Sequence, residues 1–182
     1  GTLKKLGIHT KTIKDPDYPS NLKQIDDAPS VLYIKGEIKP QDKLALAIVG
    51  ARKASFYGKE VTEKITSALV MSGVTIVSGL ARGIDTVAHK VALSCSGRTI
   101  GVLAGGLDRV YPPENTSLAY EIAKRGAVVS EFPLGIAARP ENFPTRNRVV
   151  SGLSLGVVVV EGAGRSGTLL TASNAADQGR EV

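Results

Sequence analysis

The sequence predicts an α/β fold, a doubly wound and mainly parallel sheet with a short N-terminal extension. Three observations carry this. Short apolar runs alternate five times with segments of helical periodicity, the pattern of βαβ crossovers. The apolar runs do not alternate with polar residues, as expected of strands covered on both faces. Glycine follows four of the five runs, at Gly50, Gly79, Gly105-Gly106 and Gly162 to Gly164.

Residues 1–43 are rich in Lys, Asp and Pro, with turn signals at Asp15-Pro16, Tyr18-Pro19 and Ala28-Pro29. One short strand is expected at 31–35, ended by Gly36. This segment reads as an extension packing on the edge of a core that spans 44–182. In the core, 44–49 is the first strand. A helix follows at 57–71, with Val61, Ile65, Ala68 and Leu69 at helical spacing and Gly73 as its stop. The next elements are a strand at 74–77, a helix at 84–93 and a strand at 99–103. Pro112-Pro113-Glu114 opens a helix to about residue 124, and 127–130 is the fourth strand. Residues 132–145 read as a long polar loop, and 146–153 as a short helix with Thr145 as its N-cap. The fifth strand, 157–160, leads through a glycine-rich loop into a helix at 168–178. Residues 180–182 read as the start of a further strand, so the core is expected to continue past them.

Composition narrows the function classes. Of 182 residues, 42% are hydrophobic and 22% charged, which suits a substantial globular core. The formal net charge of +6 favours nucleic acid, phosphorylated ligands or an anionic surface. The single cysteine, Cys95, excludes an intramolecular disulfide and a cysteine metal cluster and fits a reducing, cytoplasmic setting. The longest apolar run, 155–160, is far too short to span a bilayer, so no membrane role is expected.

The stretch from Ile76 to Asp85 is a strand, a glycine turn and a helix opening, with Arg82 beside the turn. Glycine lets the backbone approach a ligand, and a helix N-terminus offers unpaired N–H groups to an anion. Parallel sheets bind ligands outside the carboxyl ends of their strands, so the four glycine-bearing ends share one edge. Arg52, Lys53, Arg82 and Arg165 lie in those same loops. Together they describe a cradle for phosphate or another anion. A second stretch runs from Arg139 through Phe143 to Arg146-Asn147-Arg148. Cations in a first helical turn oppose the macrodipole by ~0.3–1 kcal/mol each, unless an anion binds there. Arg146 and Arg148 are two apart and face different ways on a helix, so one is free to bind ligand while the other holds structure. Phe143 either stacks on a base or anchors its loop.

Other sites are missing. No Gly-x-Gly-x-x-Gly follows the first strand, so a dinucleotide cofactor is disfavoured, and there is no P-loop signature. His9 and His89 lack metal-ligand spacing. Asp85 and His89 share a helix face, most simply as a capping acid and a helix histidine. Glu131 and Glu161 each follow a strand, as catalytic carboxylates or as ion-pair partners of a neighbouring arginine.

Several motifs in order carry a resemblance. They are Gly50-Ala51-Arg52, Ser78 to Asp85, Gly105-Gly106-Leu107-Asp108 with Tyr111-Pro112, Ser130-Glu131, Phe143-Pro144-x-Arg146-Asn147-Arg148, Ser151 to Ser154 and Arg165-Ser166-Gly167. From about Tyr18 onward the chain resembles the DNA-processing protein A (DprA/Smf) family. The resemblance implies an extended Rossmann-like core, without catalytic activity or cofactor, that binds single-stranded DNA. It also implies a homodimer that loads a RecA-type recombinase during natural transformation (competence) and recombination. By motif, Gly50, Arg52, Arg146 and Arg148 would form the DNA pocket, with Gly79, Arg82 and Arg165 nearby. Lys53, Arg139, Phe143 and Asn147 complete the candidate DNA-binding set. The alternative is a nucleotide-binding enzyme of the LOG phosphoribohydrolase type. Residues 164–171 align with its glycine-rich signature, but Arg165 replaces a glycine and Thr171 the essential glutamate. A third reading is a sensor of a small anionic nucleotide.

Overall fold

The computed structural model describes residues 1–162 and 166–182. Its strands are β1 (Ile8–Thr12), β2 (Val31–Gly36), β3 (Ala45–Gly50), β4 (Thr75–Ser78), β5 (Thr99–Val102), β6 (Ala127–Ser130) and β7 (Gly156–Val160). The helices are α1 (Thr2–Lys5), α2 (Ser20–Lys23), α3 (Phe56–Met71), α4 (Ile84–Ser94), α5 (Thr116–Arg125), α6 (Asn142–Gly152) and α7 (Gly167–Asp177). All seven strands form one sheet, in the order β1-β2-β6-β5-β4-β3-β7.

The five strands from β6 to β7 are parallel, with Leu46 opposite Ile76 and Gly50 opposite Val160. Every residue of β4, β5 and β6 is buried, which is why their sequences carry no polar alternation. Side chains sort by the period of two. Ala45, Ala47 and Val49 of β3 pack with Val149, Val150 and Leu153 of α6 and Ala175 of α7. Ile48 faces the opposite layer, with Ile84, Ala88 and Ala92 of α4 and Val61 and Ile65 of α3.

The N-terminal strands lengthen the sheet at its β6 edge. β2 pairs antiparallel with β6, and β1 antiparallel with β2. Tyr18, Leu22, Ile25, Leu32 and Ile34 join the same buried cluster as β3 and β6. At the N-terminal edge of the sheet, Arg98 clamps this segment down. Its Nε and Nη2 donate to the two carboxylate oxygens of Asp42 at 2.8 Å each. Nη2 and Nη1 also donate to the carbonyls of Glu37 and Arg125. Asp42 further accepts from the Thr75 hydroxyl at 2.7 Å and the Lys39 N–H at 2.8 Å.

Two local features differ from the sequence reading. β1 is a strand that the polar run His9-Thr10-Lys11-Thr12 does not announce, since only Ile8 is buried. α6 begins at Asn142 rather than at Arg146, and Thr145 is not its N-cap. Pro144 sits within the first turn, where its missing N–H costs nothing. Arg146 to Arg148 therefore lie beyond that first turn, and the macrodipole argument for an anion there does not hold. The expected start of a further strand appears as one parallel bridge between Glu181 and Gly156. Among the described residues, no helix is long and apolar enough to cross a membrane.

Candidate functional site

β3 has β4 on one side and β7 on the other, so the direction of chain progression reverses at its carboxyl end. A crevice forms outside such a switch point. Here it has a volume of about 470 Å³ and lies between Gly50, Gly79 and Glu161 at the strand ends and α6 and α7 opposite. Arg52, Asp85, Phe143, Arg146, Asn147 and the first residues of α7 complete its wall.

Arg146 is the centre of this site. It is 7% exposed, although it carries a formal charge. Its Nη1 donates to the carbonyls of Gly79 at 2.7 Å and Val102 at 2.9 Å, and its Nε to Asn147 Oδ1 at 2.9 Å. Among the described residues Nη2 has no hydrogen-bond partner. Burial pulls the guanidinium pKa down to about 10, and the Asp85 charge nearby opposes that fall. Asp85 is itself buried and accepts from the N–H groups of Gly79 (3.0 Å) and Ala81 (3.4 Å). Burial raises its carboxyl above the ordinary value, against the pull of Arg146 and those donors.

The glycines serve this arrangement differently from the ligand approach expected of them. A Cβ on Gly79 would stand 2.7 Å from Arg146 Nη1 and 3.0 Å from Asp85 Oδ2. A Cβ on Gly50 would collide with the Val160 carbonyl and with Ile84. Both positions admit protein neighbours, and so fix the crevice floor.

Aromatic rings tie the basic rim together. The Phe143 ring has the Arg146 guanidinium 5.3 Å and the exposed Arg52 guanidinium 5.6 Å from its centroid. Tyr111 meets Phe143 edge to face at 6.1 Å, and Arg82 stands 5.8 Å from the Tyr111 ring. Arg82 also pairs with Glu114 at 2.7 Å, and it does not line the crevice.

Arg148 takes the structural part of its pair with Arg146. It forms a fork with Glu131 at 2.6 and 2.9 Å and a longer contact with Asp27 at 3.2 Å. Lys53 and Arg139 are exposed and do not line the crevice. Arg165 lies outside the described residues. Asn147 donates to the Gly167 carbonyl at 3.2 Å, joining α6 to the start of α7.

The two acids at strand ends part company. Glu131 is the ion-pair partner of Arg148. Glu161, at a backbone φ of 56°, accepts from the N–H (2.9 Å) and the hydroxyl of Ser55. It therefore holds Ser55, the N-cap of α3, in place, and those hydrogen bonds lower its pKa. His89 is fully buried, bonded through Nδ1 to Thr99 Oγ1 at 2.7 Å rather than to Asp85. Burial holds its pKa down to about 3, so it is neutral. Among the described residues no group of three His, Cys, Asp or Glu side chains could hold a metal ion.

The N-terminus of α7, from Ser166 to Thr168, was outside the candidate set yet lines the crevice. Its signal is a small hydroxyl residue placed just before a helix that follows a strand. The Ser166 hydroxyl is buried without a partner among the described residues.

A family model described as DNA recombination-mediator protein A matches residues 9–182. The chain belongs to that family. It is 46% identical over 177 residues to the DNA processing protein DprA of Bacillus subtilis, covering 97% of this chain and 60% of that one. It is 48% identical to the protein Smf of Escherichia coli, covering 91% of this chain and 44% of that one. The chain thus spans about half to three fifths of these curated relatives. The X-ray structure of DprA from Streptococcus pneumoniae superposes with a TM-score of 0.91 at 40% identity, covering 98% of this chain and 64% of that chain. A structure of DNA processing protein A from Helicobacter pylori, concerned with its single-stranded DNA binding mode, gives 0.85 at 31% identity, covering 95% and 78%. As a member of this DprA/Smf family, the chain shares a Rossmann-like α/β fold with these structures.

Proposed function

We propose that this chain is the single-stranded DNA-binding core of a DNA recombination mediator, and that the crevice takes a phosphate of the strand. The observation that carries the reading is Arg146, a buried guanidinium with one nitrogen unspent in a crevice. Desolvation of a donor strengthens its attraction for an anion. The first residues of α7 line the same space, and Arg52 stands at the rim. Single-stranded DNA binding of the Helicobacter pylori relative supports the ligand class. A net charge of +6 suits a polyanion. Family membership supports extending the proposal to loading of a RecA-type recombinase and to pairing as a homodimer. A cytoplasmic, non-enzymatic role belongs to the same reading. In place of the LOG-type glutamate stands Thr171, whose hydroxyl donates to the Gly167 carbonyl at 3.2 Å and offers no carboxylate.

Fluorescence anisotropy of labelled oligo-dT and a matched duplex, at two salt concentrations with AMP as competitor, tests this. Salt-sensitive binding that prefers the single strand and resists AMP is expected. Weak binding to both DNAs, with AMP bound or hydrolysed, would move the reading to a nucleotide site, and equal affinity for the duplex would overturn the single-strand preference. Arg52→Ala should lower the slope of log K against log salt by about 0.7, one phosphate contact on a single strand. Arg52 is exposed, so folding stability should change by less than about 0.5 kcal/mol. An unchanged slope would remove Arg52 from the site.

A further inference from the structure

Phe56 and Tyr57 are 80% and 72% exposed. The chain has only five tyrosines, three phenylalanines and no tryptophan. The next most exposed aromatic, Tyr120, is 56% exposed and lies under the Lys124 ammonium at 4.4 Å. Folding gives no reason for two adjacent bare rings, since apolar area left in water contributes nothing to stability.

Their position is specific. Ser55 is the N-cap of α3, its hydroxyl accepting from the Gly58 N–H at 3.0 Å. Phe56 and Tyr57 are therefore the first two helical residues, about 100° apart around the axis. Ser55 is bound to Glu161, a crevice residue, through its N–H at 2.9 Å. Phe56 begins one Cα step of about 3.8 Å beyond that tether. Arg52, on the crevice wall, and Lys53, exposed beside it, lie just upstream in the same short loop. Arg52 in turn stands 5.6 Å from the Phe143 ring, which meets Tyr111 edge to face. Cationic groups and aromatic rings are thus neighbours in the chain segment and the contacts around Arg52. This is the composition of a single-strand track, where phosphates follow the charge and bases stack on rings.

We infer that Phe56 and Tyr57 form a base-stacking platform for the nucleotides of single-stranded DNA that leave the crevice past α3. The inference rests on the DNA-binding reading of the crevice. It assigns recognition of bases to a surface outside it, without sequence preference, because every base has a π-face.

The test compares the wild type with the Phe56→Ala/Tyr57→Ala variant by anisotropy. The probes are oligo-dT and an equally long abasic sugar–phosphate strand. The variant should bind oligo-dT at least about fivefold more weakly. It should bind the abasic strand as the wild type does, with the same salt slope, because no charge is removed. Phe56→Tyr/Tyr57→Phe should retain wild-type affinity. Equal affinity of the Ala variant and the wild type for oligo-dT would overturn the platform and leave the crevice reading intact. So would an equal loss on both strands, or a change in oligomeric state by sedimentation that accounts for the loss. Failure of the wild type to bind either strand would overturn both.

Discussion

An arginine meets an aspartate at each end of the parallel sheet, and the two pairs are built to different ends. At the N-terminal edge, Arg98 grips Asp42 with a fork and gives its remaining donors to two carbonyls. Asp42 in turn is filled by Thr75 and Lys39. All three guanidinium nitrogens and both carboxylate oxygens are used. At the C-terminal edge, Arg146 and Asp85 lie close enough to shift each other's pKa, but they make no fork. Each bonds mainly to backbone, and Arg146 keeps one nitrogen unspent among the described residues. The same residue types thus make a lock where their valences are filled and a hook where one is left over. Arg146 is also the more deeply buried of the two arginines, so the hook combines stronger desolvation with fewer partners.

Breaking the lock should have the largest effect. Asp42→Ala leaves the Arg98 charge buried without its fork. Removing one partner of such a pair costs about 3–5 kcal/mol. Urea midpoints should show this, while the folded fraction keeps its affinity for single-stranded DNA. A loss below about 1 kcal/mol would place the pair with exposed ion pairs instead. At the hook, Arg146→Lys keeps the charge but cannot reproduce the planar fork that reaches Gly79 and Val102. Leaving a buried acceptor unmade costs about 1–3 kcal/mol. Oligo-dT affinity should also fall by about tenfold, and unchanged affinity would mean that charge alone suffices at this position.

The most gradual effect is the pH dependence of the hook end, read as a slope per pH unit. An unfolded histidine titrates near 6.5, whereas burial pulls His89 down to about 3 in the fold. The unfolded chain therefore takes the proton first. The stability His89 contributes is complete above pH 6.5 and is lost as pH falls toward 3. The slope is at most about 1.4 kcal/mol per unit. Asp85 acts in the opposite sense. Its carboxyl is raised above 3.8 by burial, so its contribution is present below that value and is lost as pH rises through the raised one. Unfolding midpoints across the acid range should fall more steeply in Asp85→Asn and less steeply in His89→Gln. The same slope in both variants would refute the opposition.

The sheet was legible because its central strands are buried on both faces, and runs such as Thr75-Ile76-Val77 have no other place to go. β1 was not, because an edge strand with one buried residue carries almost no hydrophobic pattern. The start of α6 was hidden by Pro144, which reads as a loop residue in sequence and is tolerated in a first turn. For the site, the strand-end glycines and Arg52 marked the edge where the crevice lies, and spacing showed that Arg146 and Arg148 face different ways without saying which one lines it. What the glycines accommodate was not legible. Gly79 makes room for a side chain 67 residues away, a relation only the folded chain defines. Nor could the sequence show that Glu161 is committed to Ser55 across 106 residues.

The contact between Gly50 and Val160 has a mechanical consequence. The two chain segments touch through backbone, with the Ala51 N–H donating to the Val160 carbonyl at 3.3 Å. No rotamer change can alter the floor of the crevice at this point. The floor therefore surrenders little freedom when the crevice is filled. On the proposed reading the guest is a supple single strand, which can fit itself to a fixed floor more readily than a stiff double helix.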